Sequence, residues 1–385
     1  MLLVAEESLN YAEAAEVLDA PINHVDPMKS ERPRLTSRAH RIDMLLRWFA
    51  VFATPAALTG LFVWYAGWFS PRPTAQRIVD AFQATTSSHP GFRRNHAKGV
   101  CVIGRFDSNG QGSMLSRASV FKRGSYTVVG RLSIAGVDPE QEDSEGTVRS
   151  LALRIVLPRG EEWRLAMNSV PIFAVRTPKA LLDQLNAEAP DPRTGRVNRA
   201  KMQTFLEEHP ETRAFRAWLD RHQPSSRFDN ATYFGISSFR TTNAHGVTHF
   251  VRWEMVPDKP YRPVRSQAEL DPDFLAHGLM KQLANGALYW HLKLKVAMSG
   301  DVIDDSTQQW LDSPRREQVD AGTLVIDHAL SQIDGPCRDI SFDPLILPEG
   351  IAPSDDPLLA ARSATYRVSF DRRIGEEALA DTRGR

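Results

Sequence analysis

The stretch FDPLILPEGIAPSDDPLLAARSATYRVSF, residues 342–370, decides how the rest of the chain is interpreted. Its first half is rich in proline and cannot form a regular helix or strand, whereas LLAARSATY is predicted to be helical. Arg362 and Tyr366 are four residues apart, so they share one face of that helix. A phenol ionises near pH 10, so a phenolate at neutral pH needs a fixed cation beside it, and arginine provides one. By itself this pair is a weak signal, because a cation close to a core aromatic ring is common.

The spacing of the flanking residues makes the signal specific. The pattern F-x-P-x-x-x-P-x-G-I-x-P-S-x-D-x-x-L-x-x-R-x-x-x-Y resembles the proximal signature of haem catalases. The matching residues are Phe342, Pro344, Pro348, Gly350, Ile351, Pro353, Ser354, Asp356, Leu359, Arg362 and Tyr366. Tyrosine is among the known proximal ligands of haem iron. The resemblance implies that Tyr366 is the axial ligand of ferric haem b and that Arg362 is its charge partner.

A second motif is GFRRNHAKGVCVIGRF, residues 91–106. A histidine just before a strand is normally a solvated turn residue. Here HAKG resembles the distal-histidine motif of catalases, which implies that His96 is the acid–base residue and that Arg93 binds a haem propionate. Histidine titrates near neutral pH, so it can take a proton from peroxide and return it to the departing oxygen.

Two further segments, VVGRLSIAG at 128–136 and MNSVPIFAVRTP at 167–178, resemble catalase motifs in the same order. The resemblance implies that Arg131 binds a propionate and that Ser133 hydrogen-bonds His96 and fixes its tautomer. It also implies that Asn168 is the distal amide that orients peroxide and stabilises the departing oxygen. Without the resemblance, all three would be ordinary strand or turn residues.

The chain after residue 73 alternates between strand-like and helical patterns. In YWHLKLKVAM, residues 289–298, polar and apolar side chains alternate as in a half-buried strand. Helical patterns such as TPKALLDQL, RAKMQTFLEEH and ETRAFRAWLDRH lie between the strands. Around eight such strands predict an α+β fold over residues 73–385: a catalase-like, eight-stranded antiparallel β-barrel with surrounding helices, preceded by one transmembrane helix.

Three departures from large catalases bear on the reaction. Asn95 stands where those enzymes usually carry an apolar residue, the stretch after Arg176 lacks the aromatic that normally stacks on haem, and the chain ends soon after Tyr366. We therefore expect a haem-dependent peroxidase that reduces organic peroxides and hydrogen peroxide with a small-molecule electron donor. A small true catalase, a fatty-acid hydroperoxide isomerase and a non-enzymatic haem-binding membrane protein are the alternatives, because fold alone does not determine function.

Residues 48–69 contain no charge and are long enough to cross a bilayer, which predicts a transmembrane helix. The preceding flank, residues 28–47, is rich in Lys and Arg, so it should remain cytoplasmic. A single-pass inner-membrane protein with a periplasmic catalytic domain follows; a cleaved signal peptide is the competing interpretation. Residues 1–27 resemble part of a sigma-factor helix-turn-helix, and we interpret them as a disordered tail or a start-site artefact.

Composition limits the partners. Lys+Arg and Asp+Glu both number 47, giving a net charge of zero, which argues against a nucleic-acid partner. The two cysteines, Cys101 and Cys337, are too few for a disulfide framework. They can still pair, but two buried thiols are the preferred interpretation. The sequence leaves open whether the chain forms a homodimer.

Overall fold

The computed structural model describes residues 37–65, 72–85, 89–264 and 271–383. The chain divides into two compact units, Met1–Pro71 and Arg72–Arg385. The predictions for residues 1–27 and for 28–36 of the basic flank lie outside the described residues.

In the first unit the described residues form one helix, α1 (Ser37–Tyr65). It begins well before the predicted start at residue 48, because helix-forming residues such as Met44 and Leu45 continue the pattern into the basic flank. The predicted end at 66–69 lies outside the described residues. Within α1, Ile42–Tyr65 is long and apolar enough to cross a membrane, and none of its most apolar stretch is buried.

The second unit contains six helices and ten strands within the described residues. The helices are α2 (Ala75–Ala84), α3 (Pro178–Glu188), α4 (Arg199–Glu208), α5 (Thr212–Arg221), α6 (Phe274–Leu283) and α7 (Pro357–Arg383). The strands are β1 (Gly99–Ser108), β2 (Gly124–Ile134), β3 (Arg149–Val156), β4 (Glu162–Asn168), β5 (Tyr233–Phe234), β6 (Phe239–Thr242), β7 (Thr248–Pro257), β8 (Leu288–Val296), β9 (Gln318–Ser331) and β10 (Ile351–Pro353). Helices α3, α4 and α5 coincide with the three helical patterns seen in the sequence.

Eight of these strands close into an antiparallel barrel, in the order β1–β2–β3–β4–β5–β7–β8–β9 and back to β1. The closing contacts are β7 with β8 and β1 with β9. Outside the barrel, β6 pairs with β7 and β10 pairs with β6. The predicted eight-stranded barrel is therefore confirmed; closure removes the exposed strand edges that an open sheet would leave.

Alternating side chains fill the barrel. On β8 the side chains of Trp290, Leu292 and Leu294 are buried, whereas Tyr289, next to Trp290, is exposed. Inside the barrel, Trp163 and Trp253 meet edge to face with ring centroids 5.1 Å apart, an arrangement that aromatic pairs favour. Because one set of side chains fills the interior, the other set on β1 to β4 faces outward, towards the helices.

Cys101 on β1 and Cys337, in the segment after β9, form a disulfide, so the interpretation as two thiols is wrong. Both cysteines are fully buried, as expected. The segment after β9 folds back along β1 and brings the two Cα atoms to 5.4 Å, within the range that a disulfide requires. The two cysteines are 236 positions apart in the chain, and the sequence carried no sign of their proximity.

Candidate active site

A cavity lies between the outer face of strands β2 to β4 and the helices α2, α3 and α7, and its volume is about 1100 Å³ when the space open to solvent is included. All seven residues that the sequence singled out line it: Arg93, His96, Arg131, Ser133, Asn168, Arg362 and Tyr366. These residues come from four separate parts of the chain. The structure therefore brings the whole predicted set together.

Strand register sets the barrel side of the cavity. Ser133 on β2 lies opposite Ser150 on β3, and Ser150 lies opposite Asn168 on β4. Two residues along, Arg131 lies opposite Ala152, which lies opposite Ala166. Since every second residue of a strand points to the same face, the first set forms a polar row across the outer face of the barrel. We call Ser133, Ser150 and Asn168 the polar row.

His96 occupies the turn that leads into β1, and its φ is 56°. This left-handed conformation is unfavourable for a residue with a side chain, so the surrounding contacts must impose it. The side-chain oxygen of Asn95 accepts hydrogen bonds from the backbone N–H of His96 (2.8 Å) and of Gly136 (3.3 Å). In addition, the Ala97 N–H donates to the carbonyl of Gly136 at 2.9 Å. Asn95, a departure from large catalases, thus holds the histidine turn against the loop after β2.

The pKa of His96 is lowered to about 4, chiefly because burial disfavours the imidazolium. The positive charge of Arg131 is the second cause, and a hydrogen bond to the backbone of Ile134 opposes both. At neutral pH the imidazole is therefore uncharged and holds a free lone pair, as a proton acceptor requires.

The hydroxyl that contacts His96 belongs to Ser150, at 3.1 Å from Nδ1, and not to the predicted Ser133. Ser150 also donates a hydrogen bond of 2.7 Å to Oδ1 of Asn168. Ser133 is buried in the same row, one strand away. The sequence motif pointed to the correct row but not to the serine that meets the imidazole, because that depends on how the His96 turn is inclined across the strands.

Tyr366 and Arg362 reach the cavity from α7, on consecutive turns of that helix. The proline-rich segment leads to buried Asp356, whose side chain accepts the backbone N–H of Leu358 (2.9 Å) in the first turn. The guanidinium of Arg362 donates to the carbonyl of Ala166 at 3.4 Å, which ties the helix to β4. The phenol of Tyr366 packs with Phe342 and the Cys101–Cys337 disulfide.

Three arginines are crowded on one side of the cavity: Arg93, Arg131 and Arg373, of which sequence reasoning missed the last. Arg373 is two helical turns after Tyr366 and therefore lies on the same face of α7. This spacing is the feature of the sequence that could have predicted Arg373 as a cavity residue. Burial is the main reason why the pKa of each is lowered, and that of Arg131 falls to about 9.

Among the residues that the structure describes, these guanidinium groups donate to backbone carbonyls and to Gln332 rather than to carboxylates. Arg93 donates to the carbonyls of Cys337 (2.9 Å) and Ile340 (3.0 Å), and Arg131 to Gln332 (2.5 Å) and to the carbonyl of Ala97 (3.1 Å). Arg373 donates to the carbonyl of Arg338, and its buried Nε has no partner among the described residues. Cations that are crowded together and largely removed from water favour an anionic ligand.

Gly99, the last residue of HAKG, makes space for this cluster. A Cβ built there would lie 2.6 Å from Cζ of Arg131 and 2.5 Å from the carbonyl oxygen of Leu132. Neither distance is tolerable for a side chain, so glycine allows Arg131 to lie flat against the start of β1.

The remaining wall is apolar. Phe82 from α2, Leu181 from α3 and Phe370 from α7 line it together with Phe173. All four side chains are half-buried, so part of each remains accessible from the cavity. Within the described residues there is no group of three or more His, Cys, Asp or Glu that would hold a bare metal ion.

Comparisons with known proteins agree with this geometry. A family model for catalase matches residues 79–380. The catalase-related peroxidase of Synechococcus elongatus is 32% identical over 329 residues, covering 85% of this chain and 96% of the relative. The catalase-related peroxidase of Mycolicibacterium paratuberculosis is 28% identical over 305 residues, covering 78% and 95%. The catalase of Pseudomonas syringae pv. syringae is 25% identical, covering 74% of this chain but only 58% of the relative.

Solved structures show the same fold. A fungal catalase superposes with a TM-score of 0.68 at 18% identity, covering 75% of this chain and 60% of that one. Catalase A from Saccharomyces cerevisiae superposes with a TM-score of 0.67 at 18% identity, covering 74% and 62%. The barrel, the gathered motif residues and the family match together establish that this chain belongs to the catalase family.

Proposed function

We propose that the protein is a haem-dependent peroxidase that reduces organic peroxides and hydrogen peroxide with an external small-molecule electron donor. The observation that carries the proposal is one cavity with His96 and Asn168 on its barrel side and Tyr366 with Arg362 on α7. The two relatives whose matches cover 96% and 95% of their own length are both named catalase-related peroxidase, which supports this class.

The cavity fits ferric haem b, the cofactor typical of the family. Tyr366 would ligate the iron, and the charge of Arg362 on the preceding turn would favour its phenolate. Arg93 and Arg131, joined by Arg373, would bind the propionates, which accounts for the unpartnered Nε of Arg373. When bound, haem supplies the redox equivalents that reduce the peroxide.

Side chains of the protein carry out the proton transfer and orient the peroxide. Neutral His96 accepts the proton of the hydroperoxide and returns it to the departing oxygen, while the Asn168 amide donates a hydrogen bond to that oxygen. In balance, one hydroperoxide, two protons and two electrons from the donor give one alcohol and one water. With hydrogen peroxide as the substrate, both products are water.

The apolar wall supports organic peroxides as substrates. Phe82, Leu181 and Phe370 offer hydrocarbon surface beside the polar row, and burying the alkyl part of a peroxide there is favourable by about 25 cal/mol per Å². Asn95 adds a polar group in place of an apolar one on the distal side. We therefore expect slow disproportionation relative to oxidation of an external donor.

We further propose that the catalytic unit lies outside the cytoplasm. Disulfides persist mainly in oxidising compartments, and Cys101–Cys337 is such a bond. The apolar segment Ile42–Tyr65 would anchor the chain in the inner membrane, with the basic flank in the cytoplasm and the barrel in the periplasm. Both observations support export independently of each other.

The decisive experiment uses haem-loaded protein and follows two products. Oxidation of a dye with an organic hydroperoxide should be fast, while oxygen release from hydrogen peroxide should be slow. His96→Ala should keep its haem yet react with peroxide about 10²–10⁴-fold more slowly, the usual contribution of general acid–base catalysis. His245→Ala, on an exposed turn, is the matched control and should behave as wild type.

Three outcomes would contradict the proposal. Vigorous oxygen release would make the protein a small true catalase, and conversion of a fatty-acid hydroperoxide without consumption of donor would make it an isomerase. Protein that binds haem but reacts with no peroxide would be a non-enzymatic haem-binding protein.

A further inference from the structure

We propose that Ser150 is a positioning residue that fixes both the tautomer of His96 and the orientation of the Asn168 amide. The inference rests on the proposed peroxidase function, since it concerns the same cavity. It assigns to Ser150 a role that the sequence motif suggested for Ser133.

The first step concerns where the Ser150 hydroxyl donates its single proton. Ser150 Oγ lies 2.7 Å from Oδ1 of Asn168. An amide oxygen only accepts hydrogen bonds, so the hydroxyl must donate its single proton there. Towards Nδ1 of His96, at 3.1 Å, Ser150 then has only lone pairs to offer. Nδ1 must therefore carry the hydrogen, and Nε2 is left as the lone-pair nitrogen that can take a proton from peroxide.

The second step concerns Asn168. Its Oδ1 is engaged by Ser150, so its Nδ2 group, which has no hydrogen-bond partner among the described residues, keeps its donors for a ligand in the cavity. One hydroxyl thus gives His96 an acceptor nitrogen and Asn168 a donor nitrogen. The opposite polarity would place the hydrogen on Nε2 and turn the Asn168 carbonyl away from Ser150, leaving no base for the peroxide proton.

The third step is rigidity. Ser150 lies on β3 between Ser133 on β2 and Asn168 on β4, with both neighbours in register. Ser133 and Ser150 are buried and Asn168 is half-buried on a closed barrel, whose strand pairing limits how far the three groups move relative to one another. His96 alone comes from a turn, and its left-handed backbone is held by Asn95. Beside a hydrogen bond to the backbone of Ile134, Ser150 provides the side-chain contact between the His96 imidazole and the polar row.

The test compares Ser150→Ala with Ser150→Thr and Ser133→Ala in the full chain loaded with haem. Stopped-flow mixing gives the rate constants for peroxide and for hydrogen cyanide, whose binding also needs a base to remove a proton. Ser150→Ala should slow both by about tenfold, the value of one hydrogen bond, while its visible spectrum, haem content and melting temperature stay close to wild type. Ser150→Thr keeps the hydroxyl and should restore both rates. Ser133→Ala should lose less than Ser150→Ala.

A haem-free measurement separates this inference from the proposed function. In protein labelled with ¹⁵N-histidine, His96, assigned by its loss in His96→Gln, should be the Nδ1–H tautomer in wild type and a mixture in Ser150→Ala. Unchanged tautomer and rates in Ser150→Ala, or a larger loss in Ser133→Ala, would overturn the role of Ser150. Wild-type protein that fails to react with peroxide would instead contradict the peroxidase proposal. The tautomer measurement would still test the role of Ser150.

Discussion

At the scale of single residues, the cavity depends on groups kept in states that water would not favour. His96 combines a left-handed backbone with a pKa lowered to about 4. Arg131 is buried and Arg93 is half-buried beside it, and desolvation followed by neighbouring arginines lowers the pKa of each. Such costs persist only where the surrounding structure enforces them, and they concentrate at functional sites.

The pH dependence of the peroxide reaction should report the environment of His96. Because burial and then Arg131 lower its pKa to about 4, His96 stays a neutral base well below the usual histidine value of about 6.5. The rate constant for peroxide should be flat from about pH 7 to about pH 5 and fall as the pH nears 4. Stopped-flow measurement across this range checks it, and a midpoint near 6.5 would contradict the buried geometry.

The lowered pKa of His96 also makes the stability of the folded protein depend on pH. In the unfolded chain the histidine takes up its proton first, as the pH falls through about 6.5, whereas folded His96 does so only near 4. The haem-free protein should therefore lose stability between these values. His96→Gln should flatten that part of the unfolding free energy plotted against pH; an equally steep wild-type and variant curve would argue against it.

Tyr366→Phe tests the ligand assignment. Removing the phenol oxygen should abolish the visible spectrum of tyrosinate-ligated ferric haem, because phenylalanine offers no atom to the iron. The measurement is the absorption spectrum with haem supplied during expression. Tyr289→Phe, at an exposed position of β8, should keep the spectrum. An unaltered spectrum in Tyr366→Phe would mean that another residue holds the iron.

At the scale of elements, the disulfide joins a barrel strand to the segment that leads towards α7. Cys337 also offers its carbonyl to Arg93, and the bond packs against Tyr366, Phe342 and Ile340. The disulfide therefore fastens the α7 side of the cavity to the barrel. It connects residues far apart in sequence, and closing a long loop restricts the unfolded chain strongly.

Cys337→Ser should lower the free energy of unfolding by about 2–5 kcal/mol and weaken haem retention. Urea unfolding and the haem content after gel filtration measure the two effects. Cys101→Ser and the double variant should match it, since each removes the same bond. If the three variants differ widely, packing of the sulfur atoms rather than the cross-link would explain the loss.

The elements also show where sequence reasoning stops. Strand β8 and helices α3 to α5 follow from local periodicity, because a half-buried strand or helix repeats its pattern within a few residues. The contact between His96 and Ser150 has no local signature. It depends on the register of β3 and on a left-handed turn, and both are set by tertiary packing.

At the scale of the whole molecule, the two units are separable by composition and contacts. Unit Arg72–Arg385 contains the barrel, the disulfide and every residue of the proposed site. In α1, large apolar side chains such as Leu45, Phe49 and Leu61 are exposed, as suits a helix in lipid rather than in water.

A chain reduced to residues 72–385 should therefore fold, bind haem with the wild-type spectrum and leave the membrane fraction, whereas the full chain should stay there. Fractionation followed by spectroscopy measures this, and protease added to spheroplasts should digest the barrel unit of the full chain if it is periplasmic. Full-length protein found in the soluble fraction, shortened at its N-terminus, would indicate a cleaved signal instead of an anchor.

The sequence by itself determined the family, the barrel class, the apolar helix and the residues that meet in the cavity, because these depend on local periodicity and on motifs with distinctive spacing. Only the tertiary structure decided that Cys101 pairs with Cys337, that Ser150 rather than Ser133 meets His96, and that Arg373 joins the buried arginines. Each of these depends on distances between segments remote in the chain. Such distances come from barrel closure and strand register, which no single stretch of residues encodes.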